Sequence, residues 1–442
     1  MRSAALIAPL REGTFRRLAA SYAVNELGDW MGIVALSVLV FDRTGSALAT
    51  TLLFLGTSFL PAILAPILVA RVEAPPPRFA LPVLYCGEAA AFGALALLAS
   101  RFSLAAVVAL AAVDGALALA SRSLTRAVVA ALLEPRDQLR SGNALLNIAF
   151  TGGAALGPGL AGVIVAGFGV QVALLLDAVS FYVVAWILLT AGPLPRAEPE
   201  PGRMRERVRA GLAYIRARVV LRRLLVAQGA AFVFFATVLP IEVVYAKQTL
   251  GAGDSGYGLM LASWGAGMVL GSLLFAAVRR MSLPLLLLCS TLAIGAGYLG
   301  LAAAPTLAVA CAASVVGGAG NGVQWVAVVS AVQELTAPAM QARVMSVLES
   351  IGAAMPGVGF VLGGVVAALA TPRTTFLVAG LGVMAIVALF APILGAGWLD
   401  GAARAASNKG ARELDGGIDV VLELIPGGTG GIPTQPDSEV QP

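Results

Sequence analysis

The chain has 442 residues, of which 59% are hydrophobic and only 12% are charged, whereas soluble domains are about 25% charged. A soluble fold could not bury that much apolar surface, so the composition predicts a membrane protein. The chain has no histidine, which excludes HExxH zinc sites and Ser-His-Asp triads. Its two lysines, Lys247 and Lys409, lie outside any Walker motif. We therefore expect no enzyme, no metal, no cofactor and no nucleotide site.

Apolar runs of about 20 residues recur along the chain, and each matches the ~30 Å hydrocarbon core of a bilayer. They predict an all-α membrane fold of twelve transmembrane helices in two pseudo-symmetric six-helix bundles. The predicted spans are 18–41, 47–69, 79–100, 103–124, 143–167, 170–192, 222–246, 256–278, 283–303, 306–332, 344–370 and 374–397.

Positive charge is distributed unevenly between the segments that join these spans. Of the 29 Lys and Arg residues, all but Arg43, Arg101, Lys247 and Arg373 fall in segments on one side. The positive-inside rule makes that side cytoplasmic. We expect a multi-pass protein of the cytoplasmic (inner) membrane with both termini in the cytoplasm. Because every basic cluster follows this rule, the lipid bilayer is the expected partner and nucleic acid is not.

The same reading divides the chain into five parts. Residues 1–17 form a cytoplasmic N-terminal segment, and residues 18–192 and 222–397 form the two six-helix bundles. The linker 193–221 is rich in Arg, Glu and Pro and predicts a basic helix at the membrane surface. The tail 398–442 is rich in Gly and Pro and is expected to be disordered.

The first span contains a polar cluster, Asn25, Glu26 and Asp29. A carboxylate within a bilayer is costly, about 2.5–3.5 kcal/mol on insertion scales, which makes it a functional candidate. All three residues share one helix face, and two carboxylates this close repel when both are ionised. We expect Asp29 to couple proton movement to transport, with Glu26 as partner or substrate contact. The alternative is a fixed ion pair with an arginine of a neighbouring helix.

Two further acids lie near the middle of their spans. Asp114, in the fourth span, is a candidate for proton coupling or substrate contact, and pairing with Arg122 or Arg126 is the alternative. Asp177, in the sixth span, is a candidate of the same kind, unless it only hydrogen-bonds neighbouring helices. Glu242, in the seventh span, lies one turn before Lys247, which favours an ordinary interfacial ion pair.

Polar and aromatic residues in several spans could line an amphipathic pocket, although scattered membrane aromatics also serve as packing or interface anchors. These candidates are Trp30, Trp264, Asn321, Gln324 and Trp325.

The two halves share a weak internal repeat. Pro135, Gln138 and Arg140 recur after 203 residues as Pro338, Gln341 and Arg343, and a glycine-rich span follows each set. Such repeats are typical of transporters that build two bundles around a midplane site.

The segments Asn25-Glu-Leu-Gly-Asp-Trp30, Gly153-Ala-Ala-Leu-Gly-Pro-Gly-Leu-Ala-Gly162 and Asp177-Ala-Val-Ser-Phe181 occur in order, followed by Gln341-Ala-Arg-Val-Met-Ser346. Together they resemble the drug:proton antiporter branch of the major facilitator superfamily, which includes macrolide and siderophore exporters. The second segment is similar to the antiporter motif of that branch, with Ala161 in place of one glycine. The resemblance implies a secondary transporter whose partners are protons and a small-molecule substrate.

Several residues of these motifs are candidates for the conformational change. Gly153, Gly157 and Gly162 allow close helix approach, and Pro158 favours a bend. The family resemblance adds Arg71 and Arg343 as gating residues. However, Ala70 stands where the usual loop motif between spans two and three has an aspartate, and three prolines follow.

The sequence leaves three functions open. The first is proton-coupled export of a lipophilic or amphipathic small molecule by alternating access. The second keeps the fold but carries lipid or a nutrient, as a flippase or importer. The third is a non-transporting scaffold or sensor, suggested by the altered loop.

Overall fold

The computed structural model describes residues 7–61, 77–136, 138–190, 194–195, 204–277, 281–337 and 340–390. Within these ranges the regular secondary structure is entirely helical. The helices are α1 (Gly13–Thr44), α2 (Ala47–Phe54, continuing as a π-helical turn to Phe59), α3 (Pro77–Leu98), α4 (Leu104–Leu133), α5 (Leu139–Phe168), α6 (Val170–Leu189), α7 (Met204–Ala217), α8 (Val219–Val238, continuing through irregular turns to Thr249), α9 (Gly253–Ala277), α10 (Leu283–Ala303), α11 (Leu307–Glu334), α12 (Gln341–Leu369) and α13 (Pro372–Phe390).

Eleven helices in the described part of the chain are long and apolar enough to cross a membrane. The second predicted span is represented by α2, since residues 62–69 lie outside the described ranges. Large apolar side chains are left uncovered on the outside of the bundle; Leu97 is 70%, Phe168 73% and Leu369 83% exposed. Such a surface suits contact with acyl chains rather than water. The predicted all-α membrane fold is confirmed.

Local sequence signals explain where helices stop and restart. Gly45 ends α1 with a φ of 62°, a left-handed conformation that glycine adopts without strain. Ser46 then caps α2, its hydroxyl accepting a hydrogen bond from the Ala49 amide. Gly169, with a φ of 87°, likewise separates α5 from α6. The linker helix predicted from its basic sequence is present as α7, while the tail 398–442 lies outside the described residues.

Helix packing follows the internal repeat. In the first half α1 packs on α5 and α6, and α3 packs on α4 and α6; in the second half α11 packs on α9 and α10, and α8 packs on α12. Among the described residues, the two most extensive helix contacts between the halves are α5 with α9 and α2 with α12. Because α5 and α12 follow the two copies of the repeat, these contacts are equivalent. The bundle boundaries at 18–192 and 222–397 stay a prediction.

The α5–α9 contact is close enough for backbone to touch backbone. A Cβ atom added to Gly258 would overlap the Pro158 carbonyl oxygen and lie 2.8 Å from Gly162 Cα. A Cβ atom added to Gly265 would overlap the Ala154 carbonyl oxygen. Small residues are the usual means by which membrane helices approach this closely. Glycine at these positions therefore holds the two halves together.

Polar contacts reinforce the joint at one membrane face, where α1 ends and α9 begins; we call this face the Thr44 side. Lys247 Nζ forms ion pairs with Asp42, at the end of α1, and with Asp254 of α9, the latter at 2.6 Å. Thr50 of α2 donates a hydrogen bond to the Pro240 carbonyl of α8 at 2.7 Å. We call the backbone contacts of Gly258 and Gly265 with α5 the glycine seam. Together, the polar contacts and the glycine seam close the Thr44 side.

Replacing Gly258 with leucine is expected to separate the halves on the Thr44 side, because a side chain there cannot fit against Pro158 and Gly162. Spin labels at Arg101 and Thr371, both exposed on that side, report the change as a longer distance between the labels. The matched control is Gly167→Leu in α5, since no atom lies within 4 Å of a Cβ placed there. An unchanged distance distribution in Gly258→Leu would contradict the role of the seam.

Candidate functional site

The polar residues of α1 meet an arginine of α4. Arg122 Nε lies 3.3 Å from Glu26 Oε1, and Arg122 Nη2 lies 2.5 Å from Asp29 Oδ2. Asn25 Nδ2 donates to Asp29 Oδ2 at 3.0 Å. Spacings of three and four residues place all of them on one face of α1. We call Asn25, Glu26, Asp29 and Arg122 the charge network.

The members of the charge network differ in access. The Glu26 side chain is fully buried, the Asp29 side chain is 13% exposed and the Arg122 side chain is 35% exposed. Taking such charges out of water is costly unless they are paired. The alternative in which an arginine of a neighbouring helix pairs with Glu26 and Asp29 is therefore present, and that arginine is Arg122. Among the described residues, Arg122 forms no ion pair with Asp114.

Three more carboxyl groups are buried around the network without a cation. Glu88 accepts a hydrogen bond from Ser121 at 2.9 Å, and Asp177 accepts one from Ser180 at 3.3 Å. One oxygen each of Glu88, Asp114 and Asp177 is buried with no hydrogen-bond partner in the described part of the chain. The first half therefore holds more buried carboxyl groups than its one network arginine can balance.

Helix α5 lies directly behind the charge network. A Cβ atom at Gly153 would lie 3.0 Å from the Glu26 backbone, and one at Gly157 would lie 2.7 Å from Trp30 Cβ. On the other face of α5, a Cβ at Gly162 would lie 3.0 Å from Gly258 Cα. The glycines therefore place α5 between α1 and α9, and the helix runs through Pro158 without ending.

A cavity of about 320 Å³ lies between the two halves. All five sequence candidates for a pocket lie on its wall: Trp30, Trp264, Asn321, Gln324 and Trp325. The wall is mainly aromatic and aliphatic, with a few amide groups. Further lining residues include Asn147, Phe150, Gln228, Phe232, Phe235, Met268 and Tyr298. Such a wall suits an apolar ligand with a few polar groups.

The carboxylate that lines this cavity is Glu242, and its expected pairing with Lys247 is wrong. Lys247 binds Asp42 and Asp254 instead, while Glu242 is 94% buried. The two side chains separate because α8 is irregular here. A 3₁₀ turn over Leu239–Ile241 precedes Glu242, and a π-helical turn over Tyr245–Thr249 follows it. Pro240 in the middle of an apolar run was the sequence signal for this irregularity.

The two arginines expected to act in gating lie away from the charge network. Arg343 is exposed at the start of α12, where its backbone packs against Gly211 of α7. Its guanidinium donates only to the Met340 sulfur, at 3.6 Å, among the described residues. Arg71 and the substituted position Ala70 lie outside the described residues.

Several solved structures share this architecture. A nucleoside transporter, NupG, superposes with a TM-score of 0.66 at 12% identity, covering 85% of this chain and 98% of that one. A bacterial homologue of the lysosomal transporter Spinster, inward-facing and occupied, gives 0.68 at 13% identity, covering 89% and 98%. A bacterial homologue of the iron transporter ferroportin, inward-facing, gives 0.64 at 13% identity, covering 85% and 98%. At these identities the likeness concerns the fold alone.

Sequence comparison gives a narrower answer. No curated protein matches the chain significantly. The family model for transmembrane secretion effectors matches residues 4–408, a range that contains all of the described helices. The chain therefore belongs to the transmembrane secretion effector family of the major facilitator superfamily, and it is a multi-pass secondary transporter rather than an enzyme.

Proposed function

We propose that this protein exports a lipophilic or amphipathic small molecule from the cytoplasm in exchange for protons. The observation that carries the proposal is the charge network, in which Arg122 is shared by Glu26 and Asp29. A proton that binds to one carboxylate removes its attraction for the guanidinium. The network therefore offers two arrangements that differ by one proton, which is what coupling requires.

Asp29 is the carboxylate of the two that a proton from water can reach, because its side chain is partly exposed whereas Glu26 is fully buried. Asp114 and Asp177, buried and without a cationic partner in the described residues, are further candidates. The proposed cargo site is the cavity between the halves, whose aromatic wall favours lipophilic molecules.

A mechanical link from protons to cargo passes through α5. One face of this helix touches Glu26 and Trp30, and its other face touches α9 of the second half. A rearrangement of α1 around Arg122 would therefore press on the joint between the halves. The positive-inside rule predicts that both termini are cytoplasmic, which makes the Thr44 side the outer side. In this proposal, the contacts that close that side correspond to an inward-facing state of alternating access.

The proposal predicts that Asp29→Asn uncouples transport from protons without emptying the cargo site. In inverted vesicles, a pH gradient should drive uptake of at least one member of a radiolabelled panel of neutral, cationic and anionic lipophilic compounds. Asp29→Asn should lower this gradient-driven uptake by at least about tenfold, because the variant cannot bind the coupling proton at that position. Exchange of labelled for unlabelled compound, which needs no net proton movement, should persist.

Two results would contradict the proposal. Gradient-driven uptake by Asp29→Asn equal to the wild type would remove Asp29 from coupling. Absence of such uptake for every compound, at normal expression, would favour a lipid or nutrient cargo, or a protein without transport activity. Asp42→Asn is not a suitable control, because Asp42 pairs with Lys247. Glu334→Gln is a suitable control, because Glu334 is exposed at the end of α11.

Arg122→Gln is expected to destabilise the protein, because it leaves Glu26 and Asp29 without a counter-charge. The loss should be about 2 kcal/mol, below the ~3–5 kcal/mol of fully buried pairs, because the arginine side chain is 35% exposed. A lower temperature of unfolding in detergent checks this. The triple variant Glu26→Gln, Asp29→Asn, Arg122→Gln removes all three charges and should regain part of the loss. If Arg122→Gln unfolds at the wild-type temperature, the pairing is not stabilising.

A further inference from the structure

Glu242 is the one charged side chain on the cavity wall among the described residues. Its surroundings are aromatic and aliphatic, with the amides of Gln228, Asn321 and Gln324 as the main polar groups. Burying an ionised carboxylate in such surroundings costs free energy unless a positive charge lies next to it. None of the ion pairs formed by Lys or Arg among the described residues includes Glu242.

The helix around Glu242 also departs from regular geometry. A 3₁₀ turn with Pro240 interrupts α8 immediately before the glutamate, and a π-helical turn begins at Tyr245. Thr50 from the first half bonds to the Pro240 carbonyl, which holds the irregular segment in place. Interrupted membrane helices are common at the binding sites of transporters, and this interruption lies towards the Thr44 side of the cavity.

Two more polar atoms at the cavity have no partner in the described residues. Tyr298 is 1% exposed and its hydroxyl is unpaired, and the indole Nε1 of Trp264 is also buried and unpaired. Both residues line the cavity and their rings stack at 5.2 Å. Glu242 lines the same cavity. Two unpaired hydrogen-bond donors and one carboxylate therefore line one space, and only the carboxylate calls for a positive charge.

We propose that the cavity binds a lipophilic organic cation, with its positive charge against Glu242 and its apolar body among the aromatic rings. Aromatic faces attract cations as well as apolar groups, and the carboxylate attracts only the cation. When Glu242 is ionised, it repels anions of the same shape. This inference rests on the proposed function, since it names the substrate class of the same cavity.

The test uses two ions of nearly the same shape and opposite charge, tetraphenylphosphonium and tetraphenylborate. Their binding to the full-length protein in detergent is measured by equilibrium dialysis of radiolabelled ion and by quenching of tryptophan fluorescence, which Trp264 and Trp325 on the wall should report. We expect tetraphenylphosphonium to bind the wild type at least about tenfold more tightly than tetraphenylborate. Glu242→Gln should weaken phosphonium binding by at least about tenfold and improve borate binding.

The control is Glu334→Gln, which removes an exposed carboxylate far along α11 from the cavity wall and should leave both affinities unchanged. Equal binding of the two ions by the wild type, no binding of either, or unchanged phosphonium binding in Glu242→Gln would each overturn the proposal. If Glu242→Gln does not fold, the comparison of the two ions on the wild type still decides it.

The outcome is separable from that of the proposed function, because detergent solution has no proton gradient. Charge-selective binding that depends on Glu242, without gradient-driven uptake in vesicles, would refute proton coupling and leave the substrate class standing. Gradient-driven uptake of neutral compounds, without phosphonium binding, would support proton coupling and refute the proposed substrate class.

Discussion

The pairing of Arg122 with two carboxylates of α1 is the interaction on which the arrangement of the first half depends. Glu26 is fully buried, and a buried ion without a counter-ion is costly in a medium where water cannot solvate it. The pairing therefore fixes how α1 and α4 face each other. It also fixes which face of α1 remains for α5, namely the one that carries the Glu26 backbone and Trp30.

Helix α5 lies between the charge network and the second half. Its glycines allow backbone contact with α1 on one face and with α9 on the other, without a flexible side chain in between. The equivalent contact of α12 with α2 lacks a charge network of its own among the described residues. There, a Cβ atom at Gly357 would meet the ring of Phe59. The two halves thus repeat in fold and packing but differ in chemistry.

The fold could be predicted from sequence because span length, charge asymmetry and the glycine motif are local properties that the bilayer enforces. The span 283–303 coincides with α10 to the residue, and most other described boundaries differ by a few residues; the fourth span, predicted to end at 124, instead continues to Leu133. The sequence left open that Asp29 pairs with an arginine of another helix. It could not identify that arginine as Arg122, because the pairing depends on how α1 and α4 are rotated relative to each other. Glu242 was missed for a similar reason. Helical spacing pairs it with Lys247, and only the irregular turns around Pro240 and Tyr245 separate the two side chains.

The position of Glu242 has an evolutionary consequence. The charge network belongs to α1 and α4, whereas Glu242 and most of the cavity wall belong to α8, α9 and α11. Under the proposed function, substitutions in the second half can alter which molecules are accepted while the charge network of the first half stays intact. A lineage built on this plan could then diversify its cargo through a handful of aromatic and amide positions and through the residue at position 242.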